Sequence, residues 1–117
     1  MNCYQKDAER TLIFTPDREI HGDEIMMVWV GTGLCGEAGE IIELLKKGIF
    51  HRHGLNKELL AEELGDLMWY LASLCTLLDL DLDQVMKANT DKLMKRYPNG
   101  YDYRDSIKRD DKSCDET

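Results

Sequence analysis

The stretch Leu34–Lys47, LCGEAGEIIELLKK, decides the fold once it is set beside Leu60–Leu71, LAEELGDLMWYL. Each segment puts two carboxylates three residues apart inside an apolar pattern of helical period, and residues three apart share a helix face. Glu37 therefore pairs with Glu40, and Glu63 with Asp66. The two segments are also copies of one another. A shift of 26 positions places Leu34 on Leu60, Glu37 on Glu63, Gly39 on Gly65, Glu40 on Asp66, Ile41 on Leu67 and Leu45 on Leu71. At about 100° per residue, Leu34, Ala38, Ile41 and Leu45 form one stripe, and Leu60, Leu64, Leu67 and Leu71 form its counterpart. The acids flank the stripe on the same side in both. Two helices packed through these stripes, antiparallel about a pseudo-two-fold axis, are expected to turn both acidic flanks toward one cleft.

Outward from this pair the chain reads as helix throughout. Asn2 caps a short segment running to about Arg10, and Thr15-Pro16-Asp17 breaks it. A long helix follows over roughly Asp23–Lys47, with Lys46 and Lys47 at the negative end of its macrodipole and Gly48 as its stop. Ile49–Asn56 reads as a connection whose last residue caps the next helix, about Lys57–Leu78. Asp81, with Gln84 three residues on, resembles a capping box and opens a last helix that ends before Pro98-Asn99-Gly100. No run alternates apolar and polar residues as a half-buried strand does. The expected fold is all-α, an antiparallel bundle of about four helices. Met26–Val30 and Met68–Leu71 are apolar all round, which calls for cover on every side. Homo-oligomerisation, as a homodimer or homotetramer, would complete the bundle.

Bulk properties limit the function. A chain of 117 residues suits one domain, expected over residues 1–109, with 110–117 as a polar tail. The formal charge of -8 argues against a nucleic-acid polymer as partner. No uninterrupted apolar run approaches a membrane span, and nothing resembles a signal peptide. Cys3, Cys35, Cys75 and Cys114 show no CxxC spacing. Cys35 and Cys75 read as small core fillers, and a reduced, cytoplasmic protein is expected.

Four carboxylates turned toward one cleft repel one another and are costly to desolvate. A divalent cation removes that cost, so Glu37, Glu40, Glu63 and Asp66 read as a metal site. All four are hard oxygen donors with no histidine or cysteine among them, which suits Mg²⁺ or Mn²⁺ rather than Zn²⁺. A di-iron bundle would need Glu-x-x-His on two helices, and neither helix offers it. The chemistry suggested is attack of an activated water on phosphorus. Glu43, Glu58 and Glu62 read as solvated helix surface. Gly39 and Gly65, one inside each acidic pair, suggest a close approach to the helix backbone, since glycine costs about 1 kcal/mol in a helix interior.

ExxE at Glu37–Glu40, a spacer of about two dozen residues and ExxD at Glu63–Asp66 resemble the MazG-like branch of the all-α nucleoside triphosphate pyrophosphohydrolases. The surroundings GLCGEAGEIIELLKK, ELGDLMWYLA and NTDKLMKRYPNGY are similar as well, as is the opening YQKDAERT. The resemblance covers roughly residues 2–109. It implies Mg²⁺-dependent cleavage of a (deoxy)nucleoside triphosphate between the α and β phosphates, giving the monophosphate and pyrophosphate, in nucleotide-pool housecleaning. It implies metal binding and catalysis by Glu37, Glu40, Glu63 and Asp66. Asn89 and Lys92 match the family's Asn-x-x-Lys, and Arg96, four residues on, extends that face toward substrate phosphates. Related substrates, dUTP, dCTP or phosphoribosyl-ATP, are the near alternatives. A non-catalytic helical dimer that binds nucleotide, or a toxin–antitoxin partner, is the alternative from another class. No GxxxxGK[ST] phosphate loop occurs. His51-Arg52-His53 reads as a solvated loop. Trp29 lies on the helical side of Glu40, where it would either stack on a base or pack.

Overall fold

Four segments satisfy their backbone groups as helices in the computed structural model, which describes residues 2–13, 16–101 and 103–104. They are α1 Cys3–Ile13, α2 Pro16–Ile49, α3 Lys57–Leu77 and α4 Leu82–Arg96, and no strand occurs among the described residues. The fold is all-α, as the periodicity requires. The chain divides into two compact units, Met1–Leu82 and Asp83–Thr117. The expected tail at 110–117 lies outside the described residues.

The caps follow the sequence. Asn2 Oδ1 accepts from the Gln5 backbone N–H at 2.7 Å, and Asn56 Oδ1 accepts from that of Leu59 at 3.1 Å. Pro16 is not simply a break: it stands first in α2, where a missing N–H costs nothing. Helix α2 is two helices joined at Gly22, whose φ of 75° and ψ of 174° lie outside the helical region and suit a residue without Cβ. The long segment expected from Asp23 starts directly after it. Gly48 does not stop α2, which ends at Ile49. A Cβ there would lie 3.0 Å from the Gly54 carbonyl oxygen, so the glycine lets the following loop fold back on the helix. The loop itself turns through Arg52 and Gly54, both at positive φ.

In the first unit α2 and α3 run antiparallel, with α1 laid against α3. Met26 and Leu77 share a buried cluster with Leu12 and Val30, closed by Trp69 and Tyr70. A second cluster joins Ala8, Ala72, Cys75 and Leu82. The Trp69 indole N–H donates to Thr11 Oγ1 at 2.7 Å, tying α3 to α1. The Tyr70 ring packs against α2 because position 33 is glycine; a Cβ there would come within 2.5 Å of Tyr70 Cζ.

Two expectations fail in this unit. The leucine stripes are not the α2–α3 interface. Leu34, Ile41, Leu45, Leu60 and Leu67 are half-buried, and Leu64 and Leu71 are 50% and 36% exposed. Residues facing across the seam are instead Gly33 with Tyr70, the acids, and Leu44 with Leu59. Helical geometry puts the stripes about a quarter turn from that seam, and because the helices are antiparallel both stripes emerge on the same side. Cys35 is exposed rather than a core filler, while Cys75 is buried.

Gln5 is fully buried. Its amide nitrogen donates to the Leu80 carbonyl at 2.9 Å, and its Oε1 accepts from the Leu82 N–H at 2.8 Å. It thereby satisfies the turn leaving α3, where Asp79 sits at φ 58°. Gln5→Leu strands both backbone groups and is expected to cost about 2–4 kcal/mol, seen as a lower urea midpoint with an unchanged slope. A midpoint equal to wild type would show that water replaces the amide.

In the second unit α4 ends with basic Lys95 and Arg96 in its last turn. Pro98–Gly100 then turns the chain, with the Gly100 N–H donating to the Tyr97 carbonyl at 3.1 Å.

Candidate metal centre

Acids three apart on each of two antiparallel helices are brought together in the seam. One oxygen from each of Glu37, Glu63 and Asp66 lies within 4.8 Å of the others. Two oxygens on opposite sides of one cation, each about 2.0–2.6 Å from it, are roughly 4–5 Å apart, so the three carboxylates are spaced for a shared cation. Glu40 stands outside the trio, exposed and hydrogen-bonded to Glu63. Glu37 and Asp66 share the trio, and Glu40 meets Glu63, as a pseudo-two-fold exchange of the two motifs demands. The acids occupy the seam itself rather than its flank, and Glu37 and Glu63 are half-buried there.

Electrostatics record the crowding. Glu63 is raised above the usual carboxyl range, first by its hydrogen bond with Glu37 and then by burial and by the charges of Glu37 and Asp66, against a lowering by Glu40. Glu40 is raised by its hydrogen bond with Glu63 and by the Glu63 charge. Glu37 Oε2 and Glu63 Oε2 are buried without any hydrogen-bond partner, a state natural proteins rarely leave uncompensated. A divalent ion would compensate both, and the all-oxygen donor set fits Mg²⁺ or Mn²⁺.

No other helix of this chain packs at the Cβ positions of the glycines of the two motifs among the described residues. A Cβ at Gly39 or Gly65 would meet nothing within 4 Å, so within the described residues nothing packs where a side chain would stand. Their effect is to leave the helix surface open beside the acids. The Tyr4 hydroxyl donates to the Gly65 carbonyl at 3.4 Å. Burial and then the Asp66 charge raise the Tyr4 phenol. Sequence reasoning missed Tyr4; its one signal was membership of YQKDAERT.

Asn89 and Lys92 are exposed on α4 and Arg96 is half-buried at its end. All three belong to the second unit and are described within it. His51 and His53 are exposed, their rings edge-to-face at 6.1 Å. Neither joins the acidic group. Glu43, Glu58 and Glu62 are exposed, as expected.

The chain is thus all-α, with carboxylates of two antiparallel helices gathered in one seam. It belongs to the MazG nucleotide pyrophosphohydrolase domain family, whose model matches residues 30–101. It is 36% identical over 104 residues to the "Gene 37 protein" of Mycobacterium phage L5, across 86% of this chain and 90% of that one. No solved structure matches it.

Proposed function

We propose that the chain is a Mg²⁺-dependent pyrophosphohydrolase that cleaves nucleoside triphosphates between the α and β phosphates. The observation that carries this reading is the pair of buried, unpartnered oxygens, Glu37 Oε2 and Glu63 Oε2, inside a trio spaced for one cation. Family membership supports the reaction class. Glu37, Glu63 and Asp66 would hold the ion, which when bound would supply Lewis-acid polarisation of the phosphorus centre and charge for the leaving pyrophosphate. Glu40, exposed at the edge of the trio, orients the attacking water and accepts its proton at a carboxylate oxygen. The match of Asn89 and Lys92 to the family's Asn-x-x-Lys is what supports giving substrate phosphates to these two residues and to Arg96, Lys92 and Arg96 as charges and Asn89 as a donor and an acceptor. A panel of nucleoside triphosphates, with dUTP, dCTP and phosphoribosyl-ATP included, is assayed with separate detection of pyrophosphate and orthophosphate. Pyrophosphate as the first product is the expected result; release of orthophosphate alone, or of nothing, defeats the reading.

A cytoplasmic location is part of the same proposal. Cys3, Cys35 and Cys75 are unpaired, in keeping with a reducing compartment. Gly22–Ile49 is, by length and composition, apolar enough to span a membrane, with mean hydropathy 1.3, because charges are sparse in its first half. A span would carry Glu37 and Glu40 in its middle, at about 2.5–3.5 kcal/mol or more for a charged group there, so a membrane is not proposed.

The exposed leucine flank supports a homo-oligomer. Both stripes emerge on one side of the helix pair, and a second copy of this face is complementary to itself about a two-fold axis, completing a four-helix bundle. Light scattering of the purified protein is expected to give a dimer or a multiple of it. Leu64→Glu, at a position already half exposed, is expected to yield a folded monomer. A wild-type monomer at micromolar concentration removes this part of the reading.

A further inference from the structure

One polar group beside the acids comes from outside the α2–α3 pair. Tyr4 lies on α1, ahead of the residues 30–101 that the family model matches. Its hydroxyl reaches α3 at the Gly65 carbonyl, next in the chain to Asp66, and the Asp66 charge acts on the phenol. Gly65 does not need this bond. It lies inside α3, where a carbonyl already accepts from the N–H four residues on. At 3.4 Å the contact is also longer than the usual O–H···O distance of about 2.5–3.0 Å. The hydroxyl can therefore turn to a better acceptor at little cost. The backbone behind it is fixed. Asn2 caps α1 through the Gln5 N–H, and Gln5, the neighbour of Tyr4, is fully buried and bonded to Leu80 and Leu82. Thr11 ties the far end of α1 to Trp69. The space in front of the hydroxyl is open. Nothing stands within 4 Å of where a Gly65 Cβ would be, Tyr4 is 41% exposed, and Asp66 is the exposed member of the acidic trio.

We propose that Tyr4 is a further substrate-contacting residue of this centre, its hydroxyl turning from the Gly65 carbonyl to donate to a phosphate oxygen on the Asp66 side. The proposal rests on the pyrophosphohydrolase reading above and adds to it a residue from α1. Donor chemistry argues for it. Ionised carboxylates only accept hydrogen bonds, and a polyphosphate that approaches them brings further negative oxygens. A lysine in this place would pair with the acids and oppose a cation for them. A phenol adds a donor and no charge. Its hydrogen bond to a charged phosphate oxygen is shorter and roughly twice as strong as one to a neutral carbonyl, which gives the hydroxyl a reason to leave Gly65.

Tyr4→Phe keeps the ring and removes only the oxygen. The full chain, wild type and variant, is titrated calorimetrically with Mg²⁺ alone and with inorganic tripolyphosphate in excess Mg²⁺. A third titration uses the α,β-methylene analogue of whichever nucleoside triphosphate the wild type cleaves fastest. A hydrogen bond to a charged group accounts for roughly tenfold or more in affinity. Tyr4→Phe is expected to bind tripolyphosphate and the analogue about tenfold more weakly, by equal factors because the contact is to phosphate. Its affinity for Mg²⁺ alone and its metal-free melting temperature are expected to match wild type, because Gly65 keeps its helical bond. Unchanged affinity for both phosphate ligands overturns the contact. So does a loss for the analogue alone, or a loss shared with Mg²⁺ affinity or with metal-free stability. A wild type that cleaves no nucleotide, or that binds neither phosphate ligand, defeats the pyrophosphohydrolase reading instead.

Discussion

Glu63→Gln is expected to abolish turnover while leaving the helices folded. Glu63 belongs to the trio and also holds the hydrogen bond to Glu40. Losing one ligand and one charge removes several kcal/mol of transition-state stabilisation, on the order of 10³-fold in rate. The sign of the stability change separates this from damage to the fold. In the metal-free protein the glutamine amide relieves repulsion and can donate to the neighbouring carboxylates, so the variant is expected to melt at or above the wild-type temperature. Magnesium at about a hundred times its dissociation constant should stabilise wild type by about 2.7 kcal/mol, on the order of 10 °C for a domain of this size. That increment should vanish in the variant. A variant that still turns over nucleotide, or still gains the full magnesium increment, would remove Glu63 from the centre.

The second large effect is a dependence of metal-free stability on pH. Glu40 and Glu63 are raised from 4.5 in the folded protein, chiefly by hydrogen bonds to Glu63 and Glu37 respectively. The folded state therefore holds protons more tightly than the unfolded chain. Their contribution is fully present below about pH 4.5 and is lost as pH rises through the raised folded values. With metal removed, the melting temperature of wild type relative to Glu63→Gln is expected to be highest in mild acid and to fall toward neutrality. Magnesium should cancel the fall, because the cation replaces the proton at the same oxygens. Scanning calorimetry of both proteins from pH 4.5 to 7.5, with chelator and with magnesium, makes the comparison. A difference that stays flat, or that grows toward neutral pH in chelator, would mean that these carboxylates do not share a proton.

Much of the architecture is legible in the amino-acid sequence. Asn2 and Asn56 are caps as their residue types announce, α3 begins at Lys57 and α4 at Leu82, and the 26-residue repeat turned both acidic pairs toward one cleft. Other features carry no local signature. Gln5 looks like any polar residue of a short helix until Leu80 and Leu82 turn their backbone groups toward it. Cys35 has the apolar neighbours of a core residue and yet faces outward. Within the chain the glycines whose Cβ positions are crowded are Gly33 and Gly48, which no motif marked.

What the amino-acid sequence alone determined was the helices, their order, and the angle between any two side chains on one helix, because these follow from local backbone geometry. Which face each helix turns to its neighbour was decided by tertiary packing. Hydrophobic burial alone would have closed α2 and α3 through their leucine stripes. In the folded chain the acids hold the seam and the leucines lie a quarter turn away, an exception to apolar burial of the kind a bound cation and a second apolar surface would offset.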